Sequence, residues 1–252
     1  MLRRSLLLVL PVLALATQAP APVPPAPQAA VHAAPTGVPD TPAAALAELT
    51  AGNGRFVAGR RVRTMDTGQD AAMRTALVAG QHPFAILVTC SDSRVPDSLV
   101  FDQEAGRLFT IREAGNAPDL QGLASIEYAV AHLGSKVIVV LGHTGCGAVK
   151  AVREATGRPL PGNLWALQAA MAGLLETTPE HPHEDARAYD TRLEKANARR
   201  QAQAILDRSD LVRGRSADGK VWVVPALYHL DTGRVQFLKP APVVGAAPPA
   251  HH

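Results

Sequence analysis

Phe84-Ala85-Ile86-Leu87-Val88-Thr89 runs directly into Cys90-Ser91-Asp92-Ser93-Arg94, and Val137-Ile138-Val139-Val140-Leu141 runs into Gly142-His143-Thr144-Gly145-Cys146. Short β-branched apolar runs closed by polar, glycine-containing segments read as buried strands of a parallel sheet. Both polar motifs then lie where strands end, which is where open α/β sheets place their sites. Cys90, His143 and Cys146 offer three corners of a tetrahedral zinc site and leave the fourth to water or a protein oxygen. The His-x-x-Cys spacing lets His143 and Cys146 grip one ion, while Cys90 must arrive from another strand end. The chain has two cysteines, so a disulfide is the alternative. The histidine before Cys146 and the polar motifs at both strand ends favour the metal.

Alternate residues of an extended stretch point the same way, so Cys90, Asp92 and Arg94 can face one site. A carboxylate beside zinc serves either as a fourth ligand or as an acceptor for a hydrogen bond from the group bound there. Arg94, paired to Asp92, would hold it ionised and off the metal. The plainer alternative, a surface ion pair, contributes little.

Working outward, residues 107–111 read as a second strand, and Leu120, Leu123, Ile126 and Val130 repeat with helical spacing over 119–132, closed by Gly134. A strand over 136–141 and a helix over 146–155 follow. This alternation implies right-handed parallel crossovers and an α/β fold: a central, mostly parallel sheet flanked by helices. Residues 163–176 predict a helix, and 186–207 a long charged one with Leu193, Ala196, Ala204 and Leu206 facing inward. Val221–Leu230 and Arg234–Leu238 flank Asp231-Thr232-Gly233 and predict an antiparallel edge hairpin. Upstream, Thr41 and Pro42 start a helix whose docking residues are Leu46, Leu49 and, beyond an interruption at Gly52-Asn53-Gly54, Phe56. A short helix is predicted over 70–80.

The ends differ in composition from this core. Arg3 and Arg4, the apolar Ser5–Leu15 and Ala14-Leu15-Ala16 make residues 1–19 a secretory signal peptide, too short for a membrane span. Residues 20–40 read as a disordered Pro/Ala-rich tether, 41–239 as one catalytic domain and 240–252 as a disordered tail. Export to the periplasm or outside the cell is therefore expected, with no membrane span after cleavage. A net charge of +3 without a dense basic cluster, and 4% aromatic residues, do not support nucleic-acid binding. Gly142-x-x-Gly145-x-Gly147 mimics a dinucleotide loop, but its glycines are out of order and Cys146 sits where backbone would have to approach phosphate.

Cys90-Ser91-Asp92-Ser93-Arg94-Val95-Pro96 with Gly142-His143-Thr144-Gly145-Cys146-Gly147-Ala148 closely resembles the β-class carbonic anhydrases. The likeness continues through Asp102-Gln103, Leu108-Phe109, Arg112, Ala114-Gly115-Asn116, Ile126-Glu127-Tyr128 and the closing segment 228–238. The resemblance implies one Zn2+ per subunit on Cys90, His143 and Cys146, with Asp92 and Arg94 as the catalytic dyad. It implies a plant-like substrate pocket from Gln81, Phe109 and Tyr128, and reversible hydration of CO2 to bicarbonate by hydroxide generated at zinc. A homodimer or dimer of dimers would complete the pocket between subunits. Leu87, where a second branch carries tryptophan, argues against that branch's regulatory bicarbonate site. Thr144 and Glu113 depart from the commoner Ser and Asn. His132, His181, His183 and His229 are proton-shuttle candidates by type. Hydrolysis of carbon disulfide or carbonyl sulfide on the same scaffold, and a non-enzymatic disulfide-bridged binding protein, are the competing readings.

Overall fold

Strand β1 (Ala85–Thr89) is buried along its whole length and is an interior strand of the sheet. In this computed structural model residues 37–63 and 71–239 are described, and the proposed signal peptide, nearly all of the tether and the tail lie outside them. The elements run α1 (Pro42–Val57), α2 (Ala71–Leu77), β1, α3 (Asp97–Val100), β2 (Leu108–Arg112), α4 (Leu120–His132), β3 (Val137–His143), α5 (Gly147–Ala155), α6 (Trp165–Ala170), α7 (Leu174–Thr177), α8 (Ala186–Arg208), α9 (Asp210–Ala217), β4 (Trp222–Tyr228) and β5 (Val235–Phe237). No helix among the described residues is long and apolar enough to cross a membrane.

The sheet order is β2-β1-β3-β4-β5. The first four strands are parallel, with Val88 opposite both Ile111 and Val140. Only β5 is antiparallel, pairing with β4 as the predicted edge hairpin. Strand alternation divides the side chains between two cores. Ile86, Val88, Ile138 and Val140 pack with Leu123 and Ile126 of α4 and Ala202 and Ile205 of α8. Leu87, Val137, Val139 and Leu141 face the other way, against Ala45 and Leu49 of α1 and Phe101. Full burial of one such Leu or Ile side chain contributes about 1.5–3 kcal/mol.

Three local expectations need correction. The first helix is not interrupted: α1 passes through Gly52-Asn53-Gly54 to Val57. Gly52 is there because a Cβ would lie 1.9 Å from the Phe101 carbonyl oxygen. Asn53 turns inward, where its amide nitrogen donates to the carbonyls of Val100 (3.1 Å) and Gly233 (2.9 Å) and its oxygen accepts from Val235 N–H (2.9 Å). The helix predicted over 163–176 is broken into a 3-10 turn, α6 and α7. Gly173 adopts φ +77 between α6 and α7 while Met171 turns in to full burial. The buried face of α8 includes Leu193 but is otherwise Tyr189, Glu194, Asn197, Ala198, Gln201, Ala202 and Ile205, so that Ala196, Ala204 and Leu206 flank it.

Candidate metal centre and active site

The parallel register aligns the ends of β1 and β3, with Thr89 opposite Leu141. Cys90 follows directly on β1, His143 is the last residue of β3, and Cys146 caps α5 after a turn through Gly145 at φ +70. One potential ligand atom from each of the three lies within 4.8 Å of the others, and all three residues are buried. Both cysteines are free thiols. They sit in an apolar shell of Val149, Val152, Met171, Leu174, Tyr189 and Leu193.

The donor set fits a zinc ion. His143 Nδ1 lies 3.1 Å from the Thr144 carbonyl oxygen, to which only a protonated nitrogen can donate. Nε2 is then the lone-pair nitrogen, and it is buried with no hydrogen-bond partner among the described residues, as a metal-facing nitrogen should be. A hydrogen bond from the Cys146 thiol, helped by His143 and by backbone N–H groups, holds Cys90 down to about 4 against the cost of burial. Facing that sulfur from a buried position, the Cys146 thiol is pushed up, although the Val149 and Ala148 N–H groups at the start of α5 oppose the shift. Burial resists protonation of His143, but the adjacent Cys90 sulfur, with the Thr144 carbonyl and the Asp92 charge, outweighs it and raises its pKa. A divalent cation would take the place of these protons.

Asp92 and Arg94 stand at the mouth of this cluster. Arg94 donates from Nε to Oδ1 (2.9 Å), from Nη2 to Oδ2 (2.7 Å) and from its backbone N–H to Oδ1 (2.9 Å). These contacts hold the Asp92 carboxyl far below the usual carboxylate range. Arg94 Nη2 also donates to the Gly145 carbonyl (3.1 Å), joining the first motif to the second. Asp92 Oδ2 lies 3.8 Å from His143 Nε2, beside the ligand cluster while committed to Arg94. Arg112 braces the loop from beneath, donating to the carbonyls of Cys90 (3.2 Å) and Asp92 (2.8 Å).

The expected substrate residues are placed elsewhere. Gln81 is exposed and precedes β1, so the length of that strand, about 17 Å for five residues, separates it from Cys90. Phe109 pairs in register with Ile86 and meets Tyr128 of α4 at a ring separation of 6.4 Å. Tyr128, 50% exposed, meets the His132 ring in turn at 5.2 Å in a tilted arrangement. Within one chain, then, the dyad joins the ligand cluster, Phe109 and Tyr128 form a separate aromatic pair, and Gln81 stands at the opposite end of β1. Leu87 is fully buried between Thr110 and Val139 in the sheet.

A profile of the family described as carbonic anhydrase matches residues 85–235, more than half of the chain. The chain belongs to the β-carbonic anhydrases. It is 35% identical over 207 residues to carbonic anhydrase 2 of Mycobacterium tuberculosis, covering 77% of this chain and 91% of that one. It is 34% identical over 210 residues to a carbonic anhydrase of Mycolicibacterium smegmatis, covering 78% and 93%. Among solved structures it resembles a β-carbonic anhydrase of Aspergillus fumigatus, with a TM-score of 0.62 and 28% identity over 68% of this chain and 82% of that one. The Coccomyxa β-carbonic anhydrase in complex with acetazolamide aligns with a TM-score of 0.61 and 26% identity over 72% and 83%. Carbonic anhydrases interconvert CO2 and bicarbonate, those of the β-class use zinc, and the Cys90–His143–Cys146 cluster of this carbonic anhydrase fits that metal.

Two polar residues against this cluster were not singled out in the sequence. Glu194, 2% exposed, accepts from Cys146 N–H at 2.9 Å, and burial pushes its carboxyl up to about 7. Asn197, fully buried, donates to the Gly115 carbonyl at 2.8 Å. Their signal was present: 194, 197 and 201 recur at the spacing that places residues on one face of a helix.

Proposed function

We propose that this chain catalyses the zinc-dependent, reversible hydration of CO2, with one zinc ion per subunit held by Cys90, His143 and Cys146. The observation that carries the reading is the buried, unpartnered His143 Nε2 aimed into a pair of free thiols beside an Arg-locked carboxylate. Zinc bound by these three residues would lower the pKa of water to about 7 and so supply a nucleophile at neutral pH. Asp92 is ionised, so its carboxylate would accept a hydrogen bond from that nucleophile and orient it. Arg94 keeps that carboxylate turned away from the cation. Met171, Leu174 and Val149 form an apolar wall behind the ligands and exclude bulk water from that side.

The substrate pocket requires more than one chain in this reading. Gln81, Phe109 and Tyr128 stand away from the metal cluster of their own chain, so a second copy, in a homodimer or dimer of dimers, would bring its set to this cluster. Two β-carbonic anhydrases of Sordaria macrospora, similar to this chain with a TM-score of 0.56 and 28% identity, are tetrameric. The charged and apolar pattern of residues 1–19 supports export to the periplasm or the outside of the cell.

Stopped-flow CO2 hydration on zinc-loaded protein between about pH 6.5 and 9, beside Asp92→Asn, tests the activity. Rapid hydration that drops steeply in the variant supports the reading. A full zinc complement with no hydration would turn attention to carbon–sulfur substrates.

A further inference from the structure

The buried face of α8 presents a ladder of polar side chains to the two loops that carry sulfur. Asn197 Nδ2 donates to the Gly115 carbonyl at 2.8 Å. The N–H of the same Gly115 donates to Cys90 Sγ at 3.4 Å. Gly115 holds φ +72, a conformation that favours glycine, and a Cβ there would fall 2.2 Å from Met171 Cε. The Asn197 amide is oriented in turn by Gln201, which donates to its oxygen at 3.1 Å and to the Ala170 carbonyl at 2.9 Å. One turn earlier on the same face, Glu194 Oε1 accepts from the N–H of Cys146 itself at 2.9 Å. Glu194, Asn197 and Gln201 are each at most 3% exposed.

From this we infer that Glu194 and Asn197 are positioning residues for the metal centre, Asn197 acting on the Cys90 sulfur through Gly115 and Glu194 on the backbone of Cys146. The inference rests on the assignment of Cys90 and Cys146 as zinc ligands. A hydrogen bond to a thiolate withdraws charge from sulfur and fixes the direction of its lone pairs, so it sets both the strength and the geometry of a metal–sulfur bond. A polar ladder is costly to bury, and an apolar stripe would pack α8 on the sheet equally well. Partners that orient metal ligands typically contribute 10–100-fold in affinity or activity.

Asn197→Asp keeps the shape but loses the donor, Glu194→Leu removes the acceptor, and Glu194→Gln keeps an acceptor for Cys146 N–H. Zinc affinity is measured on the full chain by competition with a chromophoric chelator. The Co2+-substituted protein then reports the sulfur-to-metal charge-transfer band. Asn197→Asp and Glu194→Leu are expected to weaken zinc binding about 10–100-fold and to shift that band, with Glu194→Gln close to the parent. If Glu194→Leu does not fold, the near-isosteric Asn197→Asp decides. Should zinc affinity and the cobalt spectrum match the parent while only the thermal midpoint moves, the two residues are merely structural and the inference fails. A parent chain that binds no zinc overturns the metal centre instead.

Discussion

Arg94 grips Asp92 with both its side chain and its own backbone N–H, while one of the same guanidinium nitrogens reaches the Gly145 carbonyl of the second motif. The carboxylate therefore has little freedom to turn toward the ligand cluster, although His143 Nε2 is 3.8 Å away. Arg94→Ala should release it. Asp92 would then compete for the fourth metal position, and kcat should fall by about 10²-fold or more, the usual scale for a lost proton-handling group. Stopped-flow hydration with zinc content measured in parallel checks this; unchanged kcat at full zinc occupancy would remove the dyad from the mechanism.

The closeness of the two sulfurs sets up a redox contrast. Cys90 and Cys146 are free, and their sulfurs lie within 4.8 Å of one another, short of a bond but reachable by a small loop movement. Zinc-free protein exposed to a disulfide reagent should lose both thiols to a Cys90–Cys146 bridge, with the two sulfurs oxidised and the reagent reduced to its thiols. Zinc-loaded protein should retain them. Thiol titration after denaturation reads the difference, and equal loss in both forms would count against the metal centre.

An ion pair at the start of α8 gives a pH-dependent prediction. Arg192 donates to both carboxylate oxygens of Glu184 and holds its pKa down to about 2. A carboxylate depressed on folding contributes stability that is present above its unfolded pKa of about 4.3 and is lost as pH falls toward 2. Arg192→Ala should therefore lower the thermal midpoint slightly at pH 7, as expected for a solvent-screened pair. The gap should narrow progressively between about pH 4 and 2. An equal difference at both ends of that window would exclude the carboxylate as its source.

Asn53 ties α1 to the Val100 and Gly233 carbonyls and to the Val235 N–H, all through one buried amide. Asn53→Ala strands these three backbone groups, and a stranded buried group costs about 1–3 kcal/mol. Chemical denaturation should show a loss of at least about 2 kcal/mol. Gly52→Ala should also destabilise, because its Cβ cannot fit against the Phe101 carbonyl.

The strands and the long helices were legible because their signals are local. β1 and β3 are unbroken apolar runs, α4 repeats its apolar residues at helical spacing, and Thr41 is a cap that accepts a hydrogen bond from the first turn of α1. The errors fall where a distant contact overrules a local preference. Glycine at 52 looks like a break, yet it is the residue that lets α1 approach Phe101. Met171 looks like a helix residue, yet the helix stops so that it can pack beneath the two cysteines. α3 is a single turn marked by the packing of Val100, whereas α9 begins at Ser209, whose side chain accepts from Val212 N–H, with Asp210 in the first turn.

By itself the sequence offered the residues proposed to bear the chemistry: the paired motifs, with Cys90, His143 and Cys146 as candidate donors and Asp92 beside Arg94. Ligand identity is a property of side chains and needs no fold to be read. Only the tertiary structure decided that the three donors converge. That depends on β1 and β3 being parallel neighbours in register, a non-local pairing that no window of residues contains. It alone placed Glu194 and Asn197 against those donors, because the side of α8 that is buried is set by the sheet it lies on. It also left Gln81 at the far end of β1, since a strand has two ends and a single chain presents only one of them to its own metal centre.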